Sequence, residues 1–343
     1  MDKSMNCSLA LMNTFGMKVS AGCVVEYDSI EELVEALGDG SLPRPFLHIG
    51  GGSNLLFTGD FPGTVLHSRI RFIQPVRLQD HVLVRVGSGV LWDDLCAWAS
   101  DHSLWGLENL SLIPGEVGAA AVQNIGAYGV EAADVIETVE CYDIKEKTMV
   151  SFKAAECGYS YRSSRFKEDW KGRYIVTAVS IRLTSDYSPR LEYGNIRSAL
   201  TDRYGSFEVE SGILTPSRLR DTVIAIRRDK LPDPSVMGSA GSFFRNPVVG
   251  REVYENVCRI YGGEAPHYDL PEGVKIPAAW LIDQCGWKGF SEGNAGVYEK
   301  QALVIVNRNG KASPDEILSL ERRIVESVAA RFGITLIPEV EHI

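Results

Sequence analysis

No run of apolar residues in this chain approaches the ~20 needed to cross a bilayer, so no segment reads as a membrane span. The opening residues, MDKSMNCSLALMN, hold no long apolar stretch of the kind that marks a secretory leader, and no signal peptide is expected. The 7 cysteines (Cys7, Cys23, Cys96, Cys141, Cys157, Cys258 and Cys285) never fall at C-x-x-C spacing and are odd in number. That pattern argues for reduced thiols in a cytoplasmic protein and against a disulfide framework or a zinc site; no metal is expected. Positive charge is short, with 35 Lys+Arg against 45 Asp+Glu and a net charge of -10. This argues against general binding to nucleic acid or anionic membrane, while a local basic cluster can still hold a small anion. Familiar motifs are missing too. Gly50–Asn54 has no G-K-[ST] ending and is not G-x-G-x-x-G, and Ser242 is not in G-x-S-x-G and has no nearby histidine to activate it.

What is present is an ordinary globular chain of 343 residues, 45% hydrophobic and 23% charged, long enough for two or three domains. Its most unusual stretch is Ile113–Gly129, IPGEVGAAAVQNIGAYG, with Gly115, Gly118, Gly126 and Gly129 among small residues. It is too apolar for a surface loop. Four glycines at about 1 kcal/mol each also argue against a core helix. Glycine allows positive φ and removes the Cβ that would keep a ligand away, and exposed N–H groups in such turns bind anions. Tight packing of the loop against a sheet is the other reading, and the residues alone leave both open.

Around it the pattern alternates. Val24–Gly38 reads as strand then helix, with Ser29 and Glu32 as a capping box and Ile30, Leu33, Val34 and Leu37 on one face. Phe46–Ile49 is a strand that opens into Gly50-Gly51-Gly52-Ser53-Asn54, much as a phosphate loop does. Thr64–His67, Val82–Val86, Val135–Ile144 and Tyr174–Leu183 read as strands, and Leu91, Leu95 and Trp98 mark a helix. Tyr159–Lys167, YSYRSSRFK, interleaves aromatics with cations, which suits either a solvated face or a ligand with rings and negative charge. From about Leu214 the chain turns helical. Thr215 and Pro216 open a helix that ends in Arg227-Arg228-Asp229-Lys230, where cations complement the helix dipole. Val253–Ile260 and Pro277–Cys285 read as helices and Ala302–Val306 as a strand. Ser313–Glu316 is a capping box opening a helix with Ile317, Leu320, Ile324 and Val328 inward, stopped by Gly333. Ile334–Val340 is strand-like.

Seven segments in order carry a resemblance: NTFG at Asn13–Gly16, GGGSNLLF at Gly50–Phe57, LIPGEVGAAAVQNIGAYGVE at Leu112–Glu131, YSYRSSRFK at Tyr159–Lys167, GSAGSFFRNP at Gly238–Pro247, PAAWLIDQCG at Pro277–Gly286 and PEV at Pro338–Val340. From Asn13 to its end the chain resembles the UDP-N-acetylenolpyruvoylglucosamine reductase (MurB) family, of the long-loop type I. The resemblance implies an α+β architecture: the FAD-binding PCMH-type (vanillyl-alcohol-oxidase-like) fold of two subdomains, plus a C-terminal α+β substrate-binding domain. The boundaries expected are 1–68, 69–212 and 213–333, with the tail 334–343 packing on the first subdomain.

The activity implied is NADPH-dependent reduction of UDP-N-acetylglucosamine enolpyruvate to UDP-N-acetylmuramate by way of FAD, in peptidoglycan precursor synthesis. By motif position, Ser242 is the proton donor, and Arg162 and Glu339 stabilise the enolate. The cofactor set implied is Gly50, Gly51, Gly52, Ser53, Asn54, Ile113, Pro114, Gly115, Gly118, Asn124, Gly126, Ala127, Tyr128, Gly129 and Ile175. Relatives in the wider fold attach FAD through a histidine in the first glycine loop; here Ser53 occupies that neighbourhood, so FAD is expected to be non-covalent. Tyr193, Lys230, Asn246, Tyr268, Lys275 and Gln301 are the substrate contacts carried over, with core packing an equal alternative for the two tyrosines. A monomer acting on a small molecule is expected. The competing readings are an FAD-dependent oxidase of sugars or lactones and a non-catalytic nucleotide-sugar or flavin binder.

Overall fold

The strand-like run Tyr174–Leu183 becomes the middle strand of a five-stranded antiparallel sheet. Its neighbours are Ile136–Asp143 and then Thr148–Lys153 on one side, and Val82–Gly87 and then Ile73–Arg77 on the other. Val84, Val86, Val139, Cys141, Val179 and Ile181 are fully buried in the core that this sheet forms with Leu95, Leu110, Val117 and Ala121. Each buried valine or leucine stabilises by roughly 1.5–3 kcal/mol, so this cluster fixes the sheet as the rigid base of what lies on it. A four-stranded sheet runs in the order Asp2–Ser8, Ser20–Tyr27, Phe61–Ser68, Phe46–Ile49, the last two strands pairing in parallel.

The structure, a computed structural model, describes residues 1–343 and forms two compact units. The first is Met1–Cys7, Ala21–Gly51 and Pro62–Arg227; the second is Ser8–Ser20, Gly52–Phe61 and Arg228–Ile343. These divisions differ from the expected boundaries at 68, 212 and 333. Most of the helix Pro216–Lys230 lies in the first unit, because Leu219, Val223 and Ile226 pack with Leu191, Ile196, Leu200 and Leu214. Gly52–Phe61 lies in the second because Leu55–Leu56 pairs in parallel with Glu341–His342, and the carbonyl of Ile343 accepts from the Thr58 N–H at 2.8 Å.

The second unit is built from the helices Arg251–Tyr261, Ala278–Gln284 and Pro314–Phe332 and several short sheets. Pro314–Phe332 starts as its sequence dictates: Ser313 accepts from the Glu316 N–H, the Glu316 carboxylate accepts from the Ser313 N–H, and Gly333 at φ 70° ends the helix. Ser29 also caps its helix, accepting from the Glu32 N–H, but the Glu32 carboxylate takes the N–H of Asp28 instead of closing the box on Ser29.

Three expectations about local structure change. Inside Ile113–Gly129 there is a helix, Val117–Gln123; only Gly118 lies within it, so the penalty of four helical glycines never arises. Ala302–Val306 forms a strand only from Ile305 to Asn307. Ile334–Val340 is not a regular strand, since Pro338 has no N–H to give a ladder. It runs beside Phe243–Arg245 through single bonds instead: Arg245 N–H to Ile337 O at 2.9 Å and Glu339 N–H to Phe243 O at 2.8 Å.

Gly52, at φ 60°, is a position where glycine is required. A Cβ there would overlap the Met12 carbonyl and lie 2.8 Å from Asn13 Cα, both backbone atoms. Gly52→Ala should therefore destabilise the protein by about 3 kcal/mol through overlap and left-handed strain together. Thermal unfolding of the purified variant measures this; an unchanged melting temperature would show that the Asn13 segment yields easily.

Candidate active site

The two glycine segments meet within the first unit. A Cβ on Gly51 would touch Gly115 Cα at 3.4 Å, and one on Gly50 would crowd Ala119 Cβ at 2.9 Å. Gly115 is at φ 114°. At Gly51 main chain thus faces main chain, while Gly50 is approached by the side chains of Ala119 and Glu116; glycine main chain without a Cβ is the condition for a ligand to approach backbone N–H groups closely. Not every glycine serves that purpose. Gly118 donates its N–H to Ser88 O at 3.0 Å, and a Cβ on it would lie 2.8 Å from Ser88 Cβ, so close packing explains it.

The segment Tyr159–Lys167 is bound to the end of this loop. Ser164 Oγ donates to Val122 O at 2.6 Å, and Lys167 Nζ donates to Gln123 Oε1. Arg165 is paired with Asp169 and lies over the Trp170 ring at 4.2 Å. Arg162 itself is in the left-handed region at φ 55°, and its guanidinium donates to the carbonyls of Asn124 and Gly126. A Cβ on Gly126 would fall 2.7 Å from Arg162 Nη1, so that glycine makes the seat for the arginine. Asn124 (φ 47°) and Tyr128 (φ 50°) are left-handed as well. Three such non-glycine residues cost about 1 kcal/mol each or more, and strain of this kind collects at functional sites.

Asn124 is fully committed to the protein. Its Nδ2 donates to Glu131 Oε2 at 2.7 Å and Ser160 O at 2.9 Å, and its Oδ1 accepts from the Ala133 N–H at 3.0 Å. These bonds give it a part in locking the loop, whatever it contacts in the cofactor. The Ile175 side chain is in the core, buried with Tyr27, Leu66, Ile70 and Tyr142, so only its main chain is placed to meet a ligand. Gly129, at φ 77°, brings Tyr193 onto the loop: its Cβ position is 3.2 Å from Tyr193 Cβ. Tyr193 is 46% exposed, which removes core packing as its explanation. Ile113 is half-buried against the core, while Pro114 is exposed and Ala127 half-buried at the rim of the same loop.

In the second unit, five of the scattered segments are joined by hydrogen bonds. A Cβ on Gly238 would overlap Phe15 O, the Ser239 N–H donates to Thr14 O at 3.0 Å, and Asn307 Nδ2 donates to Phe15 O at 2.9 Å. Ser242 follows Gly241 (φ 68°) and precedes the buried rings of Phe243 and Phe244, 5.1 Å apart. The Glu339 N–H donates to Phe243 O, so serine and glutamate sit on paired segments; both are half-buried. Asn54 Nδ2 donates to Glu339 O at 3.1 Å, and Ser53 lies half-buried just before it. Ser242 and Glu339 share this unit, and Arg162 belongs to the other. Tyr268 stands directly across from Lys275 in a two-strand pairing, with Lys275 Nζ 5.3 Å from the ring centroid. Tyr268 is 49% exposed, so core packing fails for it too. Asn246 Oδ1 accepts from the Ala278 N–H at 2.9 Å, at the start of the helix Ala278–Gln284. Gln301 is half-buried, and Lys230 is exposed at the end of its helix.

One residue escaped the sequence reading. Arg227 has a buried Nε with no acceptor, burial holds its guanidinium below the ordinary arginine value, and it lies close enough to Tyr128 and Arg162 to feel both. A helix-end cation explains Arg228 and Lys230, but Arg227 lies at i+8 from Leu219 and i+4 from Val223, on the apolar face. An arginine in that register was the available signal. A guanidinium whose buried Nε has no acceptor fits an anionic nucleotide cofactor, whose negative charge would supply what the protein does not.

Comparison with known proteins agrees with this chemistry. The FAD binding domain model matches residues 21–151, which contain both glycine segments. Fold and site therefore define an FAD-dependent oxidoreductase with a separate C-terminal domain; residues 233–343 match the model described as UDP-N-acetylenolpyruvoylglucosamine reductase, C-terminal domain. The chain is 50% identical over 338 residues to the UDP-N-acetylenolpyruvoylglucosamine reductase of Bacteroides fragilis, covering 98% of each, and 42% identical to that of Porphyromonas gingivalis, covering 100% of each. The crystal structure of the Thermus caldophilus enzyme superposes with a TM-score of 0.67 at 25% identity, covering 99% of this chain and 98% of that one. The chain belongs to the UDP-N-acetylenolpyruvoylglucosamine reductase family. No helix in it is long and apolar enough to cross a membrane.

Proposed function

We propose that this chain reduces UDP-N-acetylglucosamine enolpyruvate to UDP-N-acetylmuramate with NADPH, as a cytoplasmic monomer with non-covalent FAD, in peptidoglycan precursor synthesis. The observation that carries the assignment of roles is the bond from the Glu339 N–H to Phe243 O, which supports it by pairing the main chain of Glu339 with the segment that bears Ser242. Bound FAD supplies the hydride carrier between NADPH and the enol ether. The chain supplies the rest. Gly50–Asn54 and the Ile113–Gly129 loop hold the cofactor's diphosphate with main-chain dipoles, which suits an acidic protein. Arg227 adds one buried positive charge.

Adding hydride to an enol ether conjugated to a carboxylate drives negative charge onto the carboxylate side. Arg162 and a protonated Glu339 stabilise that charge, and preorganised donors of this sort are worth several kcal/mol at the transition state. Glu339 can donate only with its carboxyl kept neutral, so the substrate complex must close over it. Ser242 delivers its hydroxyl proton to the carbon next to the carboxylate. Its weak acidity is matched by the basicity of the carbanion, and nothing need ionise beforehand.

Tyr193, Tyr268, Lys275, Lys230, Asn246 and Gln301 hold the nucleotide sugar, with Lys275 as a diphosphate contact. Lys275→Ala should raise KM for the enolpyruvyl nucleotide about tenfold and change kcat little, the signature of lost ground-state binding. Steady-state kinetics decide it, and a fall in kcat at constant KM would place Lys275 in the chemistry instead. The proposal as a whole is tested by NADPH consumption under anaerobic conditions. It predicts turnover only when the enolpyruvyl nucleotide is present. Steady oxygen uptake with a sugar or lactone, and none with the nucleotide, would identify an oxidase.

A further inference from the structure

Beneath the two glycine segments lies a row of ionisable groups that the reaction does not use. His67, on the strand Phe61–Ser68, has both ring nitrogens engaged: Nδ1 with Glu26 Oε1 at 3.0 Å and Nε2 with Glu116 Oε1 at 2.8 Å. Glu26 comes from the neighbouring strand Ser20–Tyr27, and Glu116 immediately precedes the helix Val117–Gln123. The Glu116 side chain is only 4% exposed, and its Oε2 lies 3.2 Å from where a Cβ on Gly50 would be. One carboxylate thus fills the space that a side chain at Gly50 would take, while its own backbone belongs to the second glycine segment. We infer that Glu26, His67 and Glu116 form a charged support that sets the spacing of the Gly50–Gly51 and Gly115–Ala119 segments, and through it the affinity for FAD. These are positioning residues, and the inference rests on the reading that the two segments hold the cofactor.

The charge arrangement specifies the state in which the support works. A ring with a carboxylate on each nitrogen donates to both only as imidazolium. The other groups facing it are His48, whose Nε2 meets Tyr27 OH at 2.6 Å, and Arg69, whose Nη1 is 3.7 Å from Glu26 Oε2. Burial lowers the His67 pKa, but the bonds to Glu116 and Glu26 outweigh it and leave it raised, whereas burial holds His48 down at about 4 and neutral. Since the folded pKa is raised, the contribution is complete below about pH 6.5 and is lost as pH rises through the folded value.

The test is flavin release from the full-length holoprotein, followed by flavin fluorescence between about pH 6 and 9.5, for wild type, His67→Gln, the double variant His67→Gln with Glu116→Gln, and Gly51→Val. For wild type the FAD dissociation constant should rise about tenfold across this range with a single titration. In His67→Gln it should already be about tenfold higher at pH 6 and independent of pH. If that variant fails to fold, the double variant, which leaves no unpaired buried carboxylate at position 116, should fold and show the same weak, pH-independent binding. Wild-type affinity with the wild-type pH profile in the His67 variants, even with a lowered melting temperature, would overturn the inference. So would weakened binding that keeps the pH profile. Gly51→Val separates the two levels: loss of FAD there with full retention in the His67 variants refutes only the support, while full retention in Gly51→Val refutes the cofactor site and the support together.

Discussion

Replacing Ser242 by alanine should leave NADPH bleaching of the bound flavin within about twofold of wild type and slow its reoxidation by the enolpyruvyl nucleotide by about 10²–10⁴-fold, the range for loss of a positioned proton donor. The selectivity is the important part. Proton delivery is needed only in the second half-reaction, so a residue serving only that purpose cannot matter in the first. The substitution is small, and its neighbours are held independently: the Phe243 N–H donates to Leu303 O at 2.8 Å, and Phe243 and Phe244 are buried. A general collapse of the segment is therefore not expected. Stopped-flow measurement of both half-reactions gives the answer, and an equal loss in both would remove the assigned role.

Arg162→Lys should cost about 10²-fold in the same second half-reaction, on the scale of one lost charge-stabilising donor. The physical reason lies in the shape of the group. The guanidinium reaches two main-chain carbonyls, those of Asn124 and Gly126, from a backbone at φ 55°, and Gly126 is bare where the fork enters. A lysine ammonium has charge but no planar fork, so it cannot hold both carbonyls in that geometry and still present a donor to a carboxylate. Reoxidation by substrate at the wild-type rate would show that charge alone suffices there.

Much of the first unit could be read from local pattern. Tyr174–Leu183 begins and ends where its β-branched and aromatic run does, because as the middle strand it is buried on nearly every position of both faces, and the edge strand Phe46–Ile49 is bounded by Pro45 and the glycine run after it. The helix Pro314–Phe332 was equally legible, from its cap to Gly333. Other elements carried weaker signals. The helices Ile196–Tyr204 and Ser206–Glu210 bury only Ile196, Leu200 and Val209, too few for a periodic stripe to show. The strand Asp2–Ser8 is exposed almost throughout, so it has no alternation to detect.

The candidate site was legible as a set of segments and less so as a set of roles. Glycine at Gly52, Gly118 and Gly238 looks the same in sequence as glycine at Gly51, yet the first three make room for Met12, Ser88 and Phe15 of the protein itself. Asn124 reads as a polar ligand contact, and its three hydrogen bonds within the chain are not visible in the pattern. Which neighbour occupies the space beside a residue is decided by residues far away in sequence, and single-position pattern does not contain that information.

The most direct test of the account is a visible spectrum of the pure protein followed anaerobically through one equivalent of NADPH and then one of the enolpyruvyl nucleotide. The account predicts a yellow protein whose flavin absorbance is lost with the first addition and restored by the second, with the flavin released on denaturation. A colourless protein that takes up no FAD, or a reduced flavin that the nucleotide leaves reduced, would contradict it.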